Sequence, residues 1–123
     1  MMQSLQGQRI LILEDEYFLA DDLARALRDR GAEPVGPVSS VTEADALVTR
    51  ERLDAAIVDL NLQGTMATEF VNRLAGTRLP CLIVSGYASE AVPESIAHVP
   101  RIEKPTSATA VLETLSAQLA QNG

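Results

Sequence analysis

The chain has 123 residues, 46% of them hydrophobic and 22% charged, values that are ordinary for one globular domain with its own core. Its net charge of −7 and isoelectric point near 4.6 argue against a nucleic-acid-binding surface and are compatible with basic or signalling partners. No apolar run approaches the roughly 20 residues that a membrane span needs, so no membrane association is expected.

The amino-terminal residues 1–8 have neither the basic region nor the apolar stretch of a secretory signal, and we expect them to be flexible. We therefore place the protein in the cytoplasm. The single Cys81 cannot form an internal disulfide, which is compatible with a reducing compartment. We expect one domain over residues 9–120 and a short tail over residues 121–123.

The first strand is predicted at Arg9-Ile10-Leu11-Ile12-Leu13, which ends in the acidic triplet Glu14-Asp15-Glu16. Residues 17–30 then have the period of a covering helix, and Gly31 is a typical helix stop. The apolar face of this helix is predicted to consist of Leu19, Leu23, Ala26 and Leu27.

The next strand contains Pro34 and Pro37, which cannot donate hydrogen bonds to a neighbouring strand, so it should be short or lie at an edge. Ser40 and Glu43 have the spacing of a capping box at the start of a second helix. The apolar stripe of this helix is predicted to be Val41, Ala44, Leu47 and Val48.

The third strand follows Leu53 and delivers one carboxylate, that of Asp59, to its carboxyl end. A loop rich in small and polar residues comes next. A third helix is predicted from about Met66 to Ala75, and its inward-facing residues are predicted to be Met66, Phe70, Val71 and Leu74.

The fourth strand ends at Ser85-Gly86. The pattern then weakens, because Pro93 and Pro100 bracket a piece that can form at most about two turns of helix. A short strand near residues 99–102 precedes Glu103-Lys104-Pro105.

The last helix is predicted to start near Thr106 or Ser107 and to bury Val111, Leu112, Leu115 and Leu119. Five strands that alternate with helices indicate an α/β fold, namely a doubly wound five-stranded parallel sheet with helices on both faces and a shortened fourth helix.

Three of the predicted strands end in polar groups. Ligands bind at the carboxyl ends of the strands in such sheets, where Glu14, Asp15 and Asp59 would meet. Like charges a few Å apart repel each other by about 4 kcal/mol at an effective dielectric constant of about 20. A hard divalent cation such as Mg²⁺ relieves this repulsion and binds carboxylates, carbonyls and water. We therefore predict a magnesium site at this edge of the sheet.

Each of these residues also has an ordinary interpretation. A single aspartate after a strand is commonly a loop residue or a helix cap, and an acidic triplet can simply favour the start of a helix. Lys104 could be a solvated lysine, and Ser85 could be a turn residue. His98 has no Cys or His partner at ligand spacing, which disfavours zinc and indicates a surface histidine. The agreement of Asp59, the acidic triplet and Lys-Pro in register favours the functional interpretation.

This pattern resembles the receiver domain of two-component response regulators, and the resemblance extends from Arg9 to about Leu119. That family has an acidic pair after the first strand, an aspartate after the third, a Ser or Thr after the fourth and Lys-Pro after the fifth. The matching residues in this sequence are Glu14-Asp15, Asp59, Ser85 and Lys104-Pro105. The resemblance implies a flavodoxin-like receiver fold.

The resemblance also implies a role for each position. Asp59 would be the nucleophile that takes a phosphoryl group from the phosphohistidine of a partner. Asp15 and Asp59 would bind Mg²⁺ together with the backbone carbonyl of Asn61, while Glu14 would act through a water molecule. Lys104 would contact a phosphoryl oxygen, since positioning and charge neutralisation are the main needs of phosphoryl transfer.

The residues around the fourth and fifth strands depart from the ordinary family pattern. Ser85 would hydrogen-bond the transferred phosphoryl group, and its loop would then move. Ordinary receivers carry Tyr or Phe where Arg101 or Ile102 stands, so the usual aromatic switch is not expected. Tyr87 could replace it or could be a packed surface aromatic. The stretch Val84-Ser85-Gly86-Tyr87 is similar to a variant subgroup whose fourth strand ends in Phe-Ala-Thr-Gly, an apolar residue and Tyr.

The function implied by the resemblance is that of a stand-alone receiver, a signalling domain rather than an enzyme. It would accept a phosphoryl group from a histidine kinase or histidine phosphotransfer protein in a Mg²⁺-dependent reaction and then bind an unknown downstream protein. A receiver-like adaptor that acts without phosphorylation is the alternative. A haloacid-dehalogenase-type phosphatase is disfavoured, because it would need an aspartate in place of Asn61 and its nucleophile on the first strand.

Overall fold

The computed structural model describes residues 5–86 and 92–122, with no side chain described for Asn122. In chain order, the elements of the described residues are β1 (Arg9–Leu13), α1 (Tyr17–Asp29), β2 (Glu33–Val38), α2 (Val41–Arg50), β3 (Ala55–Asp59), β4 (Asn61–Leu62), β5 (Thr65–Met66), α3 (Thr68–Gly76), β6 (Cys81–Ser85), a 3-10 helix (Glu94–Ile96), β7 (Arg101–Glu103) and α4 (Ala108–Asn122).

Five of these strands form one parallel sheet in the order β2-β1-β3-β6-β7. Every connection in this sheet therefore crosses over, and the helices cover both faces of the sheet. The predicted doubly wound five-stranded parallel sheet is confirmed. The 3-10 helix between Pro93 and Pro100 agrees with the short helical piece expected there. Tyr87 lies outside the described residues.

Alternate residues of the central strands face two separate core layers, as strand geometry requires. In β1, Ile10 and Ile12 pack into the layer beneath α1 and α4, while Leu11 and Leu13 pack into the layer beneath α2 and α3. The residues that α1 and α4 bury in the first layer are Leu19, Leu23, Ala24, Leu27, Val111, Leu112 and Leu115. Burial on both sides explains why β1 and β3 are apolar almost throughout.

Strand β2 lies at the edge of the sheet, as its two prolines predict, but it is six residues long rather than short. It keeps this length because it bulges against β1, where the pairing shifts between Leu11 and Leu13. Gly36 provides the bend with a φ of +95°, a conformation that favours glycine.

The segment after Asp59 differs from the expected loop. Strands β4 and β5 form a two-stranded antiparallel ribbon, and the turn between them has positive φ at both Gln63 and Gly64. Such a turn suits a tight hairpin. Helix α3 consequently starts at Thr68, and the prediction that Met66 faces inward is wrong, because Met66 lies in β5 and is exposed.

Both ends of the described chain are more ordered than expected. Leu5 was assigned to a flexible segment, yet it is buried in the core, and the Gly7 amide donates a hydrogen bond to the Gly31 carbonyl. Helix α4 runs to Asn122, into the segment assigned to the tail. None of the helices within the described ranges is long and apolar enough to cross a membrane.

Candidate functional site

The polar side chains that the sequence predicts to lie close together are found at the ends of neighbouring parallel strands. Asp59 ends β3 and pairs with Val84, and Ser85 ends β6 and pairs with Glu103 of β7. Glu14 follows β1 directly. Because β1, β3, β6 and β7 are adjacent and parallel, their carboxyl ends form one edge, and this edge carries the site.

Lys104 is the cation at the centre of this edge. Its Nζ lies 3.0 Å from Glu14 Oε2, 2.8 Å from Glu16 Oε2 and 3.2 Å from Asp59 Oδ2. A lysine ammonium has three donors, and these three carboxylates match that number. The side chain is only 18% exposed, so its charge is poorly screened by solvent. Lys104 and Asp59, which the resemblance implies act on the same phosphoryl group, are therefore in direct contact.

The predicted metal ligands Glu14, Asp15 and Asp59 also come together. Each offers a carboxylate oxygen, and these three oxygens lie within 4.8 Å of one another. Among the described residues, Glu14 Oε1 is buried without a hydrogen-bond partner. A buried carboxylate oxygen without a hydrogen-bond partner is costly unless a water molecule or a cation binds to it. The donor set, made of hard oxygen ligands, therefore fits Mg²⁺ or a similar ion.

Asn61 lies beside Asp59 through its backbone, because its N–H donates a hydrogen bond to Asp59 Oδ1 at 3.1 Å. The β4–β5 ribbon holds this residue in place, and Asn61 Oδ1 accepts a hydrogen bond from the Gly64 amide at 2.8 Å. The ribbon thus fixes the chain that follows Asp59.

Burial, together with the nearby carboxyl of Glu14, raises the pKa of Asp59 to about 8, and these effects outweigh the lowering by Lys104 and the Asn61 amide. For Lys104, burial opposes the charged form, but the contacts with Glu16, Glu14 and Asp59 outweigh it and raise the pKa above its ordinary value. The lysine is therefore fully charged. The carboxylates carry more negative charge than this single ammonium neutralises.

Ser85 is fully buried, and its Oγ accepts a hydrogen bond from Arg101 Nη1 at 3.0 Å. This contact was not predicted. In the sequence, Arg101 stands out only because an aromatic residue is expected there, and no motif signals that its guanidinium reaches Ser85.

Glu16 is a second contact that the sequence did not reveal. It belongs to the acidic triplet, but no role was assigned to it, and it is 88 residues from Lys104 in the chain. The order of the strands provides the proximity, since β1 and β7 both end at this edge.

Two clefts open the site to solvent. One, of about 320 Å³, lies along Glu14 and Asp15 and extends between α1 and the start of α2. The other, of about 300 Å³, lies along Glu16, Lys104 and Pro105. At the start of α1, the exposed rings of Tyr17 and Phe18 contact each other edge to face beside the first cleft. Asp59 itself is buried and lines neither cleft, but Glu14 and Lys104, which line them, are its neighbours in the site.

The comparisons with known proteins agree with this geometry. The family model for the response regulator receiver domain matches residues 10–116. The chain is similar to the transcriptional regulatory protein PdtaR of Mycobacterium tuberculosis, with 31% identity over 77 residues. This match covers 63% of the chain but only 38% of PdtaR, so the chain spans well under half the length of this curated relative.

Several solved structures have the same fold. The solution structure of SdrG from Sphingomonas melonis Fr1 is 34% identical, with a TM-score of 0.78 over 94% of this chain and 98% of that one. The chemotaxis response regulator CheY4 of Vibrio cholerae is 22% identical, with a TM-score of 0.76 over 92% and 99% of the two chains. The CheY-like receiver domain protein of Methanospirillum hungatei JF-1 is 24% identical, with a TM-score of 0.75 over 94% and 99%.

The last two similarities support the fold alone, whereas the family model covers most of the sequence, including the acidic pair, Asp59 and Lys104. The chain belongs to the family of response regulator receiver domains of two-component systems.

Proposed function

We propose that this receiver accepts a phosphoryl group on Asp59 from the phosphohistidine of a histidine kinase or histidine phosphotransfer protein. The observation that supports the proposal is the convergence of Asp59, Lys104 and the carboxylates of Glu14 and Asp15 at one solvent-accessible edge. An ionised carboxylate needs no general base to act as a nucleophile, and a cation bound beside Asp59 would favour its ionised form despite its raised pKa.

In the proposed reaction, an oxygen of Asp59 attacks the phosphorus atom, and a new O–P bond replaces the N–P bond. The electron pair of the broken bond stays on the imidazole nitrogen of the partner. Lys104 exchanges one of its carboxylate contacts for a phosphoryl oxygen. Asp15, Asp59 and the Asn61 carbonyl, with Glu14 acting through water, would hold Mg²⁺, which supplies positive charge to the phosphoryl oxygens when it is bound.

Phosphorylation would be read out by a change at Ser85. Its hydroxyl can donate a hydrogen bond to a phosphoryl oxygen, because it accepts from Arg101 and so retains its own proton for donation. The resulting rearrangement of the β6 end would alter the surface that a downstream protein binds.

The test is intact-mass analysis after incubation with Mg²⁺ and acetyl phosphate. We expect a single phosphoryl adduct on the wild type, none on Asp59→Asn and none in excess EDTA. Asp29→Asn, which removes an exposed aspartate at the last residue of α1, is the matched control and should still give the adduct.

The absence of an adduct on a folded wild type that also fails to bind Mg²⁺ would contradict the proposal. It would favour the adaptor that acts without phosphorylation.

A further inference from the structure

We propose that Glu16 selects the phosphoryl donor by the charge of its leaving group. Its carboxylate favours donors in which the phosphoryl group is attached to a positively charged nitrogen group, such as a phosphohistidine with a protonated ring, and it disfavours acyl phosphates. This inference rests on the proposed function and assigns a donor specificity to the same site.

Glu16 is the one solvent-exposed partner of Lys104 among the described residues. Three carboxylates contact Lys104 Nζ, and those of Glu14 and Asp59 are almost completely buried, whereas the Glu16 side chain is 59% exposed. Its oxygen nevertheless makes the shortest of the three contacts, at 2.8 Å. A donor that arrives from solvent therefore meets Glu16 before it meets either buried carboxylate, and Glu16 is the partner that a phosphoryl oxygen can displace from Lys104.

The usual structural role of a residue at this position does not account for the Glu16 side chain. Glu16 is the N-cap residue of α1, where Ser, Thr, Asp or Asn would accept a hydrogen bond from the helix amides. The Glu16 side chain makes no such bond and extends to Lys104 instead. Its backbone amide donates a hydrogen bond to Glu14 Oε2 at 3.0 Å. The backbone is thus held at the acidic site, and the carboxylate has no helix-capping role.

The cleft beside Glu16 has the chemistry to receive the leaving group of a nitrogen-linked donor. Its volume is about 300 Å³, and Glu16 contributes the only carboxylate among its described lining residues. Leu19 and Pro105 provide apolar surface, and Lys104 provides the cation. An imidazolium ring has an apolar body and an N–H at its edge, so it can pack on the apolar residues while it donates to Glu16. An acetyl group has no donor for this carboxylate.

The electron balance of the two reactions explains the selectivity. In both, an O–P bond forms to Asp59. With a nitrogen-linked donor, the electron pair of the N–P bond stays on the nitrogen, so a cationic group leaves as a neutral amine or imidazole. With acetyl phosphate, the electron pair stays on oxygen, and the group leaves as a carboxylate anion.

Glu16 therefore has opposite effects on the two donor classes. It attracts the cationic nitrogen group as the donor binds, and the neutral group that leaves still has an N–H to donate to the carboxylate. It repels the negative charge that develops on the leaving oxygen of an acyl phosphate, which makes that transition state less favourable.

The test compares acetyl phosphate with phosphoramidate, whose leaving nitrogen is protonated at neutral pH. Intact mass gives the initial rates of adduct formation on Asp59 at saturating Mg²⁺ for the wild type and Glu16→Gln. We expect acetyl phosphate to react about threefold faster with the variant and phosphoramidate about threefold slower, modest changes because the charge is exposed and screened. The ratio of the phosphoramidate rate to the acetyl phosphate rate should then fall about tenfold.

The ratio of the two rates isolates the role of Glu16. A change in the folded fraction, in Mg²⁺ occupancy or in the contact of Lys104 with the shared phosphoryl group alters both rates together and cancels. Glu16→Asp keeps the charge and should keep most of the wild-type ratio, whereas Glu16→Lys should lower the ratio below that of Glu16→Gln. The matched control Glu113→Gln removes an exposed carboxylate of α4 and should leave the ratio unchanged.

The outcomes separate this inference from the proposed function. Equal ratios in the wild type and Glu16→Gln, with an adduct on both proteins, would refute the selectivity while the proposed function stands. An equal fall of the ratio in Glu113→Gln would show that net charge sets the preference, and it would also refute the role of Glu16. If a folded wild type accepts a phosphoryl group from neither donor, both proposals are refuted.

Discussion

Lys104 Nζ contacts Asp59 Oδ2 at 3.2 Å while it also contacts Glu14 Oε2 at 3.0 Å, so one ammonium joins two carboxylates that are almost completely buried. In the absence of a metal ion, this contact limits the repulsion between them. The stability of the domain and its proposed reactivity toward phosphoryl groups therefore depend on the same atoms.

Replacement of Lys104 by Met should destabilise the protein in metal-free buffer above about pH 8, where Asp59 is ionised, because the carboxylates of Glu14 and Asp59 would lose their shared cation. We expect the free energy of unfolding to fall by about 2 kcal/mol, less than for a fully buried pair because Lys104 is partly exposed. Urea denaturation measures the change. The double variant Lys104→Met with Asp59→Asn should recover part of the loss, and additive effects of the two substitutions would contradict this coupling.

The raised pKa of Asp59 predicts a specific pH dependence without metal. The unfolded chain releases this proton near pH 4, whereas the folded protein retains it up to about pH 8. The folded state binds more protons than the unfolded state in this interval. The contribution of Asp59 to the free energy of unfolding is therefore complete below about pH 4 and is lost as the pH rises through about 8.

Asp59→Asn should therefore gain stability relative to the wild type as the pH increases between about 5 and 8, by up to about 1.4 kcal/mol per pH unit. Denaturation curves at several pH values in the presence of EDTA measure this difference. Parallel pH profiles for the two proteins would show that burial does not hold the proton on Asp59.

Glu16→Gln should make phosphorylation by acetyl phosphate faster. The substitution weakens the contact of Lys104 with this side chain and removes a negative charge that repels the anionic phosphodonor. We expect an increase of about threefold, because the Glu16 carboxylate is exposed and its interactions are screened. The initial rate of adduct formation by mass spectrometry is the measurement. Glu113→Gln changes the net charge equally at a distant site, and an equal acceleration there would indicate a general charge effect.

Gly36→Ala should destabilise the edge of the sheet. A methyl group at this position would lie 2.9 Å from the Val38 amide nitrogen and 3.1 Å from the Ile12 carbonyl oxygen, on a backbone with positive φ. We expect a loss of about 2 kcal/mol or more. Gly76→Ala is the matched control, because an added methyl group there meets no described atom within 4 Å. Equal unfolding midpoints for the two variants would refute the steric argument.

The strands and the acidic edge could be predicted because both follow from local patterns. The apolar residues between Arg9 and Leu13 and before Asp59 are buried on both faces, and parallel strands bring their carboxyl ends together whatever the details of packing. These inferences depend only on strand order and direction. Lys104 was expected at this edge only from the resemblance to receiver domains.

The contacts that could not be predicted depend on the reach of individual side chains. Glu16 contacts Lys104 and Arg101 contacts Ser85 because long side chains extend along the edge, and neither pair has a characteristic spacing. Strands of two residues are too short to have a hydrophobic period, so the sequence predicts a loop where the β4–β5 ribbon lies and places Met66 in the following helix.

The burial of Leu5 determines where a shortened chain can begin without a loss of stability. The side chain is 2% exposed and lies in the layer that contains Leu27 and Ala32, at the end of α1 opposite the acidic edge of the sheet. A truncation at Arg9, where the sheet begins, would leave a void comparable to that of a Leu→Ala substitution in a core, which costs about 2–5 kcal/mol. A recombinant fragment or a fusion to another domain should therefore retain the chain from Leu5 onward.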